Sequence, residues 1–448
     1  MLKRKIDRYI QDFYASTRKA LLITGARQTG KTFSIRQFGR SFKSFIEINF
    51  VENPQAAEAI RSAKNSSDLM LRLSALTSKP LIAGNTLIFF DEVQKCPEIV
   101  TAIKFLVDEG SYRYILSGLL LGVELNDLRS EPVGYMGVKE MFPLDMEEFM
   151  ECVGVGEKVL TTIRESWNKR QPIDSFVHSK MMELFRLYLV VGGMPAVVNK
   201  YIETNNLQEV MTMQSDILQL YKRDIAQYDR NNKLYIEDIF SLIPPELNAK
   251  NKRFILKNLN ENAKFVRYQN SFLWLKNAGV ALPVYNVEEP KMPLLLSRSR
   301  NLFKLFQSDV GLLSAQYAEG IQLRIIQGDK NINFGAVFEN VVAQELVAHG
   351  IEPYYYNNKR RGELDFVVEL DGNVLPIEVK SGKDYVIHRA LSSVLECGEY
   401  DIKEAIVLCN DNVRVDGRIT YAPIYMVMFI ERHDEAPTHY KVDLTGLE

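Results

Sequence analysis

The chain has little cysteine and no pattern for pairing it. Cys96, Cys152, Cys397 and Cys409 are its four, with no CxxC spacing and no nearby histidine partners. That excludes a zinc site of ordinary spacing and a disulfide framework. Long apolar runs are also missing. Crossing a bilayer takes about 18 consecutive apolar residues. The longest candidate, Leu187 to Val198, is broken by Gly192, Gly193 and Pro195. The basic start, MLKRKIDRYIQDF, lacks the apolar stretch of a secretory signal. Charge of either sign is not in excess: 55 Lys and Arg face 57 Asp and Glu, a net of −2. A uniformly basic nucleic-acid binder is thereby excluded. A cytoplasmic protein with no membrane partner is expected.

What is present is ordinary globular composition, 46% apolar and 25% charged over 448 residues. Such a chain is neither disordered nor collagenous, and its length suggests about three domains. The first part alternates short apolar runs with helix-like segments. Ala20 to Thr24, Ser44 to Phe50, Thr86 to Phe90 and Tyr112 to Ser117 read as strands. Helices are expected from Lys31, around Leu69 to Leu76, and over Val100 to Val107. Strands alternating with helices predict an α/β fold with a parallel sheet. Residues 175–230 read as helical, 231–310 as short helices followed by β-like runs, and the rest as helix, strand, turn and strand.

Between the first strand and its helix lies GARQTGKT, Gly25 to Thr32, which fits G-x-x-x-x-G-K-[ST]. Glycine permits the backbone angles and close approach that a phosphate cradle needs. Successive N–H groups and the helix start then face phosphate oxygens. The expected ATP-binding set is Gly25, Ala26, Arg27, Gln28, Thr29, Gly30, Lys31, Thr32 and Phe33. Lys31 would reach the β- and γ-phosphates, and Thr32 would ligate Mg²⁺. LIFFDE, Leu87 to Glu92, ends a buried strand in two carboxylates. Asp91 is expected to hold Mg²⁺, and Glu92 to orient the attacking water. Ser117, ending the next strand, is positioned to sense the γ-phosphate. Arg113 and Arg129 are the candidates for a finger arginine.

A second constellation lies near the C-terminus. Asp371-Gly372 is a hairpin signal between ELDFVVEL and VLPIEVK. With those two residues as the loop, Asp365 falls opposite Glu378 and Glu363 opposite Lys380. Leu364, Phe366 and Val368 then share an apolar face with Val379, Ile377 and Leu375. Opposed Cβ atoms lie about 4.5–5.5 Å apart, so two ionised carboxylates there need a cation. Mg²⁺ suits such oxygen donors, and metal-assisted phosphodiester cleavage suits the set. A surface hairpin with Glu363 and Lys380 simply paired is the alternative. Pro376 hints at an edge or bulge.

Between Lys250 and Lys304 stand eleven Lys and Arg and three Glu, a net of +8, so the remainder carries −10. Phe254, Phe265, Tyr268, Phe272 and Trp274 interleave the block. A helix-turn-helix with a wing is compatible, and double-stranded DNA is the expected partner. A solvated basic face, or one docked on an acidic neighbouring domain, is the other reading.

With these motifs the chain resembles a prokaryotic family of AAA-superfamily ATPases. Its members join a P-loop domain to a C-terminal domain of unknown function, a winged helix with a restriction-endonuclease-like fold. The likeness rests on GARQTGKT, LIFFDEVQ (87–94), FPLDMEEF (142–149), GGMPAVV (192–198), FQSDVGLL (306–313), GAVFENVVAQEL (335–346), GELDFVVE (362–369) and LPIEVKSGK (375–383). The resemblance implies an α/β multidomain chain. Its units would be an ATPase domain (1–165), a helical connector (166–230), a winged-helix-like basic domain (231–315) and a nuclease-like domain (316–448). It implies that Asp365, Glu378 and Lys380 match a D…(D/E)-x-K nuclease signature, with Glu339 as a further acidic ligand. The metal set would be Thr32 and Asp91 at one site, and Glu339, Asp365 and Glu378 at the other. Two departures stand out: Leu119 follows Gly118 where the family has serine, and Tyr135 follows Gly134 where it has a basic residue. The expected function is a Mg²⁺-dependent ATPase whose nucleotide state controls a DNA-engaging, nuclease-like half. An ATP-regulated nuclease and a non-catalytic ATP-bound scaffold for a protein partner are the alternatives. A homo-oligomer is compatible, because AAA-type sites often borrow an arginine from a neighbour.

Overall fold

The computed structural model describes residues 2–119, 134–228, 233–249, 251–259, 265–318, 320–329, 332 and 334–433. Five strands form the first sheet: β1 (Ala20–Thr24), β2 (Ser44–Asn49), β3 (Thr86–Asp91), β4 (Arg113–Ser117) and β5 (Met136–Glu140). Their order is β2-β3-β4-β1-β5, and every pairing is parallel. Side chains alternate between the two faces, as the pleat requires. Leu22, Ile88, Phe90 and Leu116 meet the helices Pro54–Arg61, Ser66–Ala75 and Glu98–Glu109. Leu21, Ile23, Phe89 and Ile115 meet the helices Lys5–Ser16 and Lys31–Gly39. This is an α/β layer with a parallel sheet; β1 to β4 are the expected strands, and β5 was not read from the sequence. β4 separates β1 from β3, so Ser117 stands between the phosphate loop and Asp91.

The helices Ser175–Val191, Pro195–Thr204 and Leu207–Tyr228 follow. The second sheet is mixed and has eight strands. They are β6 (Ala281–Val287), β7 (Arg298–Gln307), β8 (Tyr354–Asn358), β9 (Gly362–Leu370), β10 (Asn373–Val379), β11 (Ala405–Cys409), β12 (Arg414–Asp416) and β13 (Ile419–Pro423). Their order is β12-β13-β11-β10-β9-β8-β6-β7. One sheet thus draws strands from both segments expected on either side of position 315.

The β9–β10 hairpin has the register read from Asp371-Gly372: Asn373 faces Leu370, Leu375 faces Val368, and Ile377 faces Phe366. Two details differ from expectation. Pairing with β8 slips between Leu364 and Val367. Leu364 therefore packs with Val367 and Val374 on the far face, away from Phe366 and Val368. Pro376 lies in a central strand, not at an edge. Pairing with β11 begins one residue later, at Ile377, so the missing N–H breaks no ladder there.

The four motifs between residues 142 and 346 converge where the two sheets' units meet. The Leu144 N–H donates to the Gly193 carbonyl at 2.7 Å. The Gly193 N–H donates to Asp309 at 2.6 Å. The Met146 N–H donates to Glu345 at 3.0 Å, and the Val310 N–H to Gln344 at 2.8 Å. Among the described residues no helix is long and apolar enough to cross a membrane.

Candidate nucleotide site and acidic cluster

The phosphate loop turns through three positive-φ residues, two of them glycines that take such angles freely. Gly25 has φ +135°, Gln28 +67° and Gly30 +96°. A Cβ at Gly25 would lie 2.2 Å from the Met141 carbonyl oxygen, so only glycine fits there. The Lys31 ammonium donates to the Gly25 and Ala26 carbonyls at 3.0 and 2.7 Å. Burial pulls its pKa down to about 8, against the opposing pull of Glu92 and Asp91.

Around Lys31 stand the other expected residues. Asp91 accepts from Thr32 Oγ1 at 3.4 Å, from Asn49 Nδ2 at 3.0 Å, and from the Ser117 hydroxyl. Ser117, expected as a γ-phosphate sensor, spends its hydroxyl on the Asp91 carboxylate, a contact the sequence did not reveal. Glu92 has φ +58° and accepts from the Gln94 amide. Thr29 is buried and donates to the Ala26 carbonyl at 2.9 Å, while Phe33 is exposed. Thr32 and Asp91 are adjacent hard-oxygen donors beside the loop, a set that fits Mg²⁺. Arg113 is at the opposite end of β4 and donates to the Thr17 carbonyl at 2.9 Å, so it is no finger for this site. Arg129 lies outside the described residues.

Four further contacts on the loop were not foreseen from the sequence. The Arg4 guanidinium donates to the Thr29 carbonyl at 3.0 Å and also binds Phe142 and Glu148. Arg27 is ion-paired with Asp224, and the Tyr221 hydroxyl donates to the Arg27 carbonyl at 3.1 Å. Both partners come from the helix Leu207–Tyr228. Burial raises the Asp224 pKa, Arg27 opposes that, and Glu92 adds to it. Finally, Gly279 has φ +70°, and a Cβ there would lie 2.8 Å from the Ala26 nitrogen. No local motif marks any of these residues, because each acts across a long sequence separation.

The C-terminal residues form a second cluster. Asp365 accepts from the Val379 N–H at 2.9 Å, and Glu378 accepts from the Asp365 N–H at 3.4 Å. Lys380 Nζ lies 3.5 Å from Glu378. Glu339, on the helix Gly335–Ala348, is buried against them. Burial and the Asp365 charge hold the Glu378 carboxyl protonated well above the usual range. Burial alone would raise Asp365. A hydrogen bond from Glu378 and the nearby Lys304 and Lys252 charges bring it below its ordinary value instead. The two shifts run in opposite directions, as they do when two adjacent carboxyls titrate as a pair.

The simple Glu363–Lys380 pair of the surface-hairpin alternative is not formed. Lys304 takes that role: its fully buried ammonium lies 2.9 Å from Glu363 and 3.5 Å from Glu339. Lys252 also pairs with Glu339, and Arg253 approaches Glu363 at 3.8 Å. Burial would lower the Lys304 pKa, but Glu339, Asp365 and Glu363 reverse that and hold it above the ordinary value. Part of the basic block is thus spent on an acidic neighbour. Among the described residues, no group of three or more His, Cys, Asp or Glu is arranged to hold a metal ion. The Lys252, Lys304 and Lys380 ammonium groups supply counter-charge to the trio Glu339, Asp365 and Glu378.

Residues 17–150 match a family model described as an AAA domain. Residues 182–322 and 334–427 match two domains of unknown function. An uncharacterised protein of Mycobacterium tuberculosis is 27% identical over 398 residues, 86% of this chain and 77% of that one. One from Mycobacterium bovis matches over the same span at the same identity. A Walker-type ATPase of Pyrococcus abyssi aligns with TM-score 0.44 and 14% identity, over 70% of this chain and 96% of its own. The ORC1 protein of Aeropyrum pernix, in complex with DNA, aligns with TM-score 0.31 and 11% identity, over 73% and 93%.

Proposed function

We propose that this chain, whose residues 17–150 match an AAA-domain model, is a Mg²⁺-dependent ATPase whose nucleotide state controls a DNA-engaging C-terminal half. The observation that carries the proposal is the grip on the phosphate loop. Arg27 is held by Asp224, its carbonyl by Tyr221, and Ala26 is packed by Gly279. Phosphates arriving at the loop compete with Asp224 for Arg27, and they repel the Asp224 carboxylate. Relief of that clash would shift the helix Leu207–Tyr228 and whatever packs on it.

Within the site, Lys31 leaves its two carbonyl partners and binds the phosphates. Thr32 and Asp91 would hold Mg²⁺, which neutralises phosphate charge when bound. Glu92 orients the water for attack on the γ-phosphate, and Ser117 fixes Asp91. An arginine from a second copy would complete the charge stabilisation. The test is a pair of variants. Lys31→Ala should lose ATP binding, and tight binding by that variant would sink the assignment. Glu92→Gln should bind ATP and turn it over at least a hundredfold more slowly; normal turnover refutes its role.

A second reading, an ATP-regulated nuclease, draws on Asp365, Glu378 and Lys380 standing together. Plasmid cleavage with Mg²⁺ or Mn²⁺ that disappears in both Asp365→Ala and Lys380→Ala would favour it. No cleavage with either metal would favour a site that binds without cutting, as its internal neutralisation suggests.

A further inference from the structure

A recess of about 520 Å³ opens between the helix Phe265–Asn277 and the β6–β7 hairpin. Phe265, Phe272 and Tyr285 supply its aromatic wall, and Lys276, Arg298 and Arg300 its charge. Phe265 stacks on Phe272, with ring centres 6.1 Å apart and planes 13° apart. The Arg298 guanidinium lies over the Tyr285 ring at 4.8 Å. Among the described residues no acidic side chain lines the recess; Glu352 approaches Arg298 at 3.9 Å. Glu140, an acid of the first sheet, lies within electrostatic reach of Lys276. The three cations are exposed, unlike Lys304 and Lys252, which serve the acidic cluster.

We infer that this recess takes one nucleotide unit of a single-stranded nucleic acid, its base against the aromatic wall and its phosphates on Lys276, Arg298 and Arg300. The inference deepens the nucleic-acid reading above and rests on that part of it. The chemistry selects the strand type. Aromatic faces and a guanidinium plane recognise the π-face of an unstacked base. A duplex keeps those faces buried in its stack, and extruding one base costs several kcal/mol. A concave, nucleotide-sized pocket flanked by cations therefore favours a single strand.

The test uses the full chain and fluorescence anisotropy across a salt series. The probes are a labelled 20-nucleotide oligothymidylate, a duplex of the same length, and free thymidine monophosphate as competitor. The single strand should bind about tenfold more tightly than the duplex. The double variant R298A/R300A should weaken single-strand binding about tenfold and reduce the salt slope by about 1.4, or 0.7 per lost phosphate contact. Phe265→Leu keeps bulk but loses the ring; it should cost about fivefold or more at an unchanged melting temperature. Duplex binding that equals or exceeds single-strand binding, and is indifferent to these variants, overturns this site and leaves the DNA reading standing. Binding of thymidine monophosphate without oligonucleotide binding also overturns it. If neither nucleic acid binds at any salt, both readings fall. If the single strand binds here but ATP never alters its affinity, nucleotide control fails and the site stands.

Discussion

At the residue scale, Lys31 is the most informative group. Its ammonium is buried among carbonyls, with its pKa brought down to about 8. Bound phosphates would favour the charged form and raise that value. ATP binding should therefore take up a proton around pH 8, with affinity flat below pH 7 and falling as pH rises above 8. Titration calorimetry in two buffers of different ionisation heat reads this directly; a heat independent of buffer contradicts it. Asp224 makes the complementary prediction. Asp224→Asn frees Arg27 and removes a negative charge from the site, so ATP affinity should rise about fivefold to tenfold. A fluorescent nucleotide titration that shows weaker binding would make Asp224 part of the productive site instead. The phosphate loop was legible in the sequence because its glycines, lysine and threonine are contiguous. Arg4, Tyr221, Asp224 and Gly279 were not, because their partners lie at least 25 residues away and only the fold brings them near.

At the scale of elements, the β9–β10 hairpin shows what local pattern can and cannot reveal. Its register followed from one Asp-Gly turn, and the Asp365–Glu378 contact followed from the register. The fate of Glu363 did not, since the slip between β8 and β9 depends on a strand outside the hairpin. Lys304, at 0% side-chain exposure, was counted in the sequence as part of a DNA-facing block. Its burial is explained only by β7 and the helix Gly335–Ala348 packing around it. Lys304→Met should leave Glu339 and Glu363 short of a counter-charge and cost about 3–5 kcal/mol in urea unfolding at pH 7. The double variant with Glu339→Gln should recover part of that loss. A Lys304→Met protein of unchanged stability would mean that the carboxylates need no cation.

At the scale of the whole molecule, a buried charge network joins the ATP-binding unit to the C-terminal one. Asp145 caps the helix Met146–Cys152, pairs with Lys5 at 2.8 Å, and faces His349 at 3.8 Å. Burial, with Asp145 close by, raises the Glu345 pKa to about 8. A carboxyl whose folded pKa is raised contributes stability below its unfolded value and loses it as pH rises. The melting temperature should therefore fall as pH rises from about 5 to 8, and Glu345→Gln should flatten that slope. An equal slope in wild type and variant would assign the pH dependence elsewhere. The charge sum of −2 hides unlike parts, since Lys252 and Lys304 of a +8 block pair with carboxylates of the remaining −10 while Lys276, Arg298 and Arg300 stay exposed. In the proposed function, nucleotide state and the C-terminal half are coupled through the loop contacts. The most direct measurement is ATP turnover with and without DNA, single-stranded and duplex, across a salt series. Such coupling gives stimulation by nucleic acid that fades as salt rises. Turnover identical with and without either nucleic acid at every salt concentration would contradict it.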